Sequence, residues 1–135
     1  MALRKSHDLT PVLPDWESLD LDRVVLSYDD ASDTMMVHFG GRGVPAYGDP
    51  VSDGRRDVYL LRISFANDQI VGVQIEDFRA RFSAEYSGAD ELLLLAERPG
   101  SEVSSTARPW QPEEVRELRP TVLSSLLRYL RDVAA

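Results

Sequence analysis

Apolar and polar residues alternate with a period of two from residue 24, and the period lengthens to three or four after residue 77. In VVLSY, Val24, Leu26 and Tyr28 share one side; in TMMVHF, Met35, Val37 and Phe39 oppose Thr34, Met36 and His38. In DVYLLRISF, Tyr59, Leu61, Ile63 and Phe65 make a wholly apolar side, and in IVGVQIE, Val71, Val73 and Ile75 do the same. Side chains of a strand alternate between its two faces, so each run predicts a strand with one buried face. Asn67-Asp68 joins the last two runs as a short hairpin turn, because both residue types tolerate positive φ. Four strands with short turns at two of three joins predict an antiparallel β-meander over residues 24–77. The intervening GGRGVPAYGDPVSDGRR is rich in glycine and proline and reads as a long hairpin loop, with at most a brief edge extension at Val44–Tyr47.

Beyond Asp77 the spacing is helical. ELLLLA predicts a buried helix over about 88–97, with Ser87 as its N-cap, Asp90 and Glu91 in the first turn, and Pro99-Gly100 as its stop. Residues 100–111 read as a linker carrying Trp110. Pro112 suits a first helical position. Val115, Leu118, Val122, Leu126, Leu130 and Val133 then recur every three or four residues, widened by Leu123 and Leu127. A stripe of that width must be buried. Pro120 lies inside it and predicts a break or kink near Leu118–Arg119. Residues 1–20, with Pro11 and Pro14, read as a flexible arm ending in a short helical turn at Asp15–Leu19, capped by Asp15, with Trp16 packed on the body or on a partner. The expected class is therefore α+β: a four-stranded antiparallel meander, one face covered by helices from 88–97 and 112–133, forming a single domain over 21–135.

Composition narrows the function classes. At 135 residues the chain is long enough for a self-sufficient core. Acids outnumber bases 23 to 15, for a net charge of −8, which argues against binding a phosphate backbone. The absence of cysteine excludes disulfides, thiol catalysis and cysteine-ligated zinc or iron–sulfur centres. His7 and His38 are too far apart for a paired-histidine metal motif. The longest uninterrupted apolar run, Leu92–Ala96, is too short to span a membrane, and MALRKSHDLTPVLPDW lacks the apolar core of a secretory signal. The expected compartment is the cytoplasm.

Three aspartates, Asp29, Asp30 and Asp33, precede the second strand within YDDASDTMMVHF. A calcium loop of the EF-hand type needs a central glycine and a distant bidentate glutamate, and neither is present. Asp29 and Asp33 instead read as acceptors of backbone N–H groups at the two ends of a tight loop. Asp53 and Asp57 flank the start of the third run, and Glu76-Asp77 close the fourth. Carboxylates brought together from such strand ends could work as acid and base or hold a cation or small ligand. Gly40-Gly41-Arg42-Gly43 lacks the Lys-Ser/Thr ending of a phosphate loop and reads as a hairpin loop. No nucleophile elbow or dinucleotide fingerprint occurs, and no residue is assigned as catalytic, cofactor-binding or metal-ligating.

VVLSYDDASDTMMVHFG, VSDG and VYLLRISFANDQIVGVQIEDF together resemble the small bacterial family DUF2283 over about residues 24–78. The shared features are Tyr28-Asp29 with Asp33 at the first turn, and the ending Val71-Gly72-Val73-Gln74-Ile75-Glu76-Asp77. The longer glycine-rich loop and the helical tail depart from the family. The resemblance implies a small β-meander module and carries no catalytic residues, since the family has no established activity. A glycine in mid-strand weakens the strand unless something approaches closely; a helix or Trp110 over Gly72 is the expected reason for it. The resulting expectation is a non-enzymatic protein–protein interaction module that forms a homodimer, with a basic protein as a further partner. Cation or small-ligand binding by the acids at the strand ends is the alternative.

Overall fold

The computed structural model describes residues 15–40, 44–97 and 112–134. Val25–Asp29 (β1) and Thr34–His38 (β2) form the first hairpin, in the register Tyr28 opposite Met35 and Leu26 opposite Val37. Ala46–Ser52 (β3), Asp57–Ser64 (β4) and Ile70–Ile75 (β5) form a second antiparallel unit. All five strands lie in one sheet, ordered β1-β2-β5-β4-β3. The architecture is thus α+β, with two corrections to the expected sheet. The glycine- and proline-rich loop contains a seven-residue strand where a brief extension at Val44–Tyr47 was expected. The sheet is also not a simple meander, because β2 pairs with β5 and β4 lies one strand further out.

Both findings follow from which edges need cover. Gly48 and Pro50 are poor strand residues, but β3 lies at the sheet edge, where proline is tolerated. The Pro45 carbonyl accepts from the Phe65 N–H at 3.2 Å, so odd positions bond to β4 and even positions, Pro50 among them, face outward. The missing N–H of Pro50 therefore costs no ladder bond and blunts the exposed edge. At the opposite edge, Tyr28 N–H donates to Glu97 O at 2.7 Å and Glu97 N–H donates to Leu26 O at 2.9 Å, which covers β1.

Alternation along the strands places Leu26, Tyr28, Met35, Val37, Tyr59, Leu61, Ile63, Val73 and Ile75 on one face, all buried. Helices cover that face. A π-helical turn, Phe78–Phe82, leads into α1 (Ser83–Glu85); α2 spans Ala89–Leu95 and α3 spans Pro112–Ala134. Helical structure so begins ten residues earlier than the leucine run suggests. Phe78, Phe82 and Tyr86 bring a row of aromatic rings, continued by Tyr129 of α3, with centroids 4.9–5.6 Å apart. Ser87 does not cap α2; Gly88 occupies the N-cap position without a side-chain bond, while Asp90 and Glu91 lie in the first turn as expected. The helix ends at Leu95 because residues 96–97 turn extended to pair with β1.

The stripe on α3 is spent on the protein's own core: Leu123, Leu126, Leu127 and Leu130 are buried, at about 1.5–3 kcal/mol for each such side chain. Pro120 does not end the helix, which runs through it. Arg119, the residue before it, donates to the carbonyls of Leu21 (2.8 Å) and Val24, so this stretch is tied to the body from outside the helix ladder. Tyr59 ties the other end, its hydroxyl donating to Leu130 O at 2.7 Å. Short 3-10 turns at Trp16–Ser18, within the stretch expected to form a helical turn, and at Leu21–Arg23 pack beside α3. Trp16 is only 8% exposed, with its ring edge-to-face against Phe39 and Tyr59. Phe65, expected on the buried face, lies instead in the β4–β5 turn at 68% exposure, 5.3 Å from the Tyr47 ring. Residues 1–14, the Gly41–Gly43 stretch, the Pro99-Gly100 stop and the linker with Trp110 lie outside the described residues.

Candidate functional site

The aspartates of the first hairpin separate into different roles. Asp29 closes its own loop, accepting from Ala31 N–H at 3.0 Å and from the Ser32 hydroxyl at 2.9 Å. Asp33 does not bond within that loop. It takes up a left-handed conformation (φ 54°) and turns its carboxylate toward the helix start 46 positions on. Oδ1 accepts from Arg79 N–H at 2.8 Å and from the Tyr28 hydroxyl at 2.6 Å; Oδ2 accepts from Ala80 N–H at 3.1 Å. Its main-chain carbonyl accepts from Phe78 N–H at 2.9 Å. These amides open a helical segment and have no carbonyl of their own to meet, so a carboxylate from another element caps them. Asp77, also left-handed at φ 53°, makes the sharp exit from β5 that brings them within reach.

The electrostatics follow from this geometry. Burial opposes ionisation of Asp33, but the Tyr28 hydroxyl, the two backbone amides and the Arg79 charge outweigh it and hold the carboxyl below its usual range. Burial, then the bond to Asp33 and its charge, push the Tyr28 phenol up to about 12. Arg79 lies over the Tyr28 ring, 5.5 Å from its centroid. The carboxylate is thus held by three protein donors, and what it does chemically is clamp a hairpin to a helix.

The other acids partly converge. A cleft of about 240 Å³ at the ends of β4 and β5 is lined by Asp57, Glu76 and Asp77, together with Glu85, Arg56 and Arg81, over a floor that includes Tyr59 and Phe82. Arg56 is paired with Glu85, and Arg81 lies 3.8 Å from Asp77. Glu76 accepts from the Gln74 amide at 3.2 Å. Carboxylates interleaved with guanidinium groups neutralise one another and do not leave a set of oxygens free to surround one cation. Among the described residues no three of His, Asp and Glu gather where a metal ion could be held. Asp53 stays apart in the β3–β4 turn, where the Arg55 and Arg56 amides bond its carboxylate and lower its pKa.

Gly72 is explained by the sheet itself. A Cβ at this position would lie 2.3 Å from the Val37 carbonyl oxygen and 3.5 Å from the His38 Cα, so the close neighbour is the backbone of β2. This stands in place of the helix that the sequence suggested; Trp110, the other suggestion, lies outside the described residues.

The sheet's second face, which sequence reasoning left unassigned, carries Met36, Val58 and Leu60, all partly buried, among Thr34, His38, Arg62 and Gln74. Its polar groups bond to one another: Ser27 Oγ lies 3.0 Å from His38 Nε2, and Arg62 donates to Gln74 Oε1 at 3.0 Å. Three apolar side chains held in a frame of mutually satisfied polar ones make a surface that can be dehydrated without stranding those groups. The visible signal was the apolar share of the reverse side of DVYLLRISF.

Fold and site together define a two-layer α+β protein whose conspicuous polar residues serve as structural clamps. No family model matches the chain, and no curated protein or solved structure matches it. Among the described residues no helix is long and apolar enough to cross a membrane.

Proposed function

We propose that the protein is a cytoplasmic, non-enzymatic interaction module whose first partner is a second copy of itself, meeting through the outer face of the sheet. The observation that carries this reading is the patch of Met36, Val58 and Leu60 on that face, rimmed by His38, Arg62 and Gln74. Leu123, Leu126, Leu127 and Leu130 of the α3 stripe are already buried within the chain and so are not available for such a contact. Five strands about 4.8 Å apart and about 17 Å long present roughly 400 Å² in projection. Two such faces bury roughly 800 Å² in total, below the about 1,000 Å² that a stable specific interface exceeds, so the association is weak and concentration-dependent. The acidic surface, at net charge −8, favours a basic protein as any further partner. The likeness to DUF2283 is proposed on the same footing: Tyr28, Asp33, Gly72 and Asp77, the residues that carry it, all serve packing or clamping here, as befits a module without catalytic residues.

Sedimentation velocity over a concentration series tests the dimer. The wild type is expected to shift from monomer to dimer, and Leu60→Asp to remain monomeric with an unchanged melting temperature. A wild type that stays monomeric at the highest attainable concentration overturns the proposal.

A further inference from the structure

Among the described residues, the Trp16 indole nitrogen is the buried side-chain polar atom left without a hydrogen-bond partner. Native interiors rarely leave a donor unpaired, because its lost hydration is not replaced. The ring is fixed in place, edge-on to Phe39 and Tyr59. It also forms one wall of a groove of about 310 Å³ between the 3-10 turns and α3. Leu19, Leu21 and Leu127 give the groove an apolar part, and Ser124 and Arg128, one helical turn apart, line it as well. Glu17 and Arg131 also line it, but they pair at 3.2 Å, and Arg131 pairs again with Asp132. Their charges cancel, whereas Arg128 forms no ion pair with another described residue. Arg128 also lies before the last turn of α3, where the helix dipole would oppose an anion.

We propose that this groove binds a small amphiphilic carboxylate. Its carboxylate meets the Arg128 guanidinium and the Ser124 hydroxyl, and its hydrocarbon body lies against Leu19, Leu21 and Leu127. A carboxylate offers more acceptor sites than those two groups use. The indole nitrogen is closed to solvent in the unliganded protein. In the proposed complex a small outward movement of the 3-10 segment, which carries Trp16, brings this donor to the acid. The groove is separate from the sheet face, so this inference stands or falls independently of the dimer.

The chain's two tryptophans are Trp16 and Trp110, so Trp110→Phe leaves Trp16 as sole reporter. Octanoate is the probe and octanol the uncharged control. A saturable change in Trp16 emission with octanoate is expected, with about tenfold weaker binding for Arg128→Gln, as loss of a charge-assisted bond implies. A rise in wild-type melting temperature with octanoate gives a second readout that does not depend on the Trp110 variant. Absence of both responses overturns the proposal. So does equal binding of octanol, or equal binding by Arg128→Gln, either of which reduces the groove to a greasy crevice.

Discussion

Replacing Asp33 with asparagine isolates the clamp between hairpin and helix. Asparagine tolerates the left-handed backbone that Asp33 adopts at φ 54°, so the substitution adds little strain. It keeps one acceptor oxygen for Tyr28 and Arg79 but presents an NH₂ group to the Ala80 amide, donor against donor. It also removes the negative charge from the helix start. Loss of an N-cap costs about 0.5–2 kcal/mol, and hydrogen bonds to a charged group are worth about 1.5–3 kcal/mol each without adding fully. Part of the cluster survives in asparagine, so the expected loss at neutral pH is about 1–2 kcal/mol. Alanine, which removes the carboxylate that the Tyr28 hydroxyl donates to and fits the backbone poorly, loses about 2–4 kcal/mol. The pH dependence identifies the cause. A carboxyl whose folded pKa lies below its unfolded value, ordinarily about 3.9, stabilises the fold above that unfolded value. The contribution is lost as pH falls through the folded pKa, since the unfolded chain then binds the extra proton first. Urea titrations of wild type and Asp33→Asn should therefore differ at pH 7, with the gap narrowing as pH drops below about 4. A gap that stays constant across that range, or no gap at pH 7, would refute the clamp.

The partner of that bond gives the opposite sign. Tyr28 is pushed up to about 12, so its protonated form is favoured by folding. That stability is complete below the ordinary phenol pKa of about 10 and is lost as pH rises from there toward 12. In alkaline denaturation followed by circular dichroism, Tyr28→Phe should lack this component while starting less stable at pH 7. Gly72→Ala places a methyl group against the Val37 carbonyl, which is backbone and cannot swing aside, and should cost about 1–3 kcal/mol in thermal melting. An unchanged melting temperature would mean that β2 and β5 can separate freely at that point.

The period-two runs, the Asn67-Asp68 turn and the amphipathic stripe of α3 were all legible along the chain, because each depends on neighbours within a few residues. Asp68 does adopt positive φ, and Leu123, Leu126, Leu127 and Leu130 do face the core. Strand order could not be read in this way. Whether β2 pairs with β4 or β5 is decided by long-range packing, and Ala46–Ser52 becomes a strand only because an edge tolerates Pro50. Pro120 was read as a break or kink from local rules alone; the helix is not broken there, and burial of the leucines beyond it and the Arg119 anchor keep it running. Asp33 shows the limit most directly. Its preference for a turn is local and was visible, but the backbone amides its carboxylate caps are those of residues 79 and 80, and only the folded chain brings those within 3.1 Å. Backbone propensity acts over a handful of residues and is encoded where it acts; a hydrogen bond across the fold exists only after the chain has closed the loop between its ends.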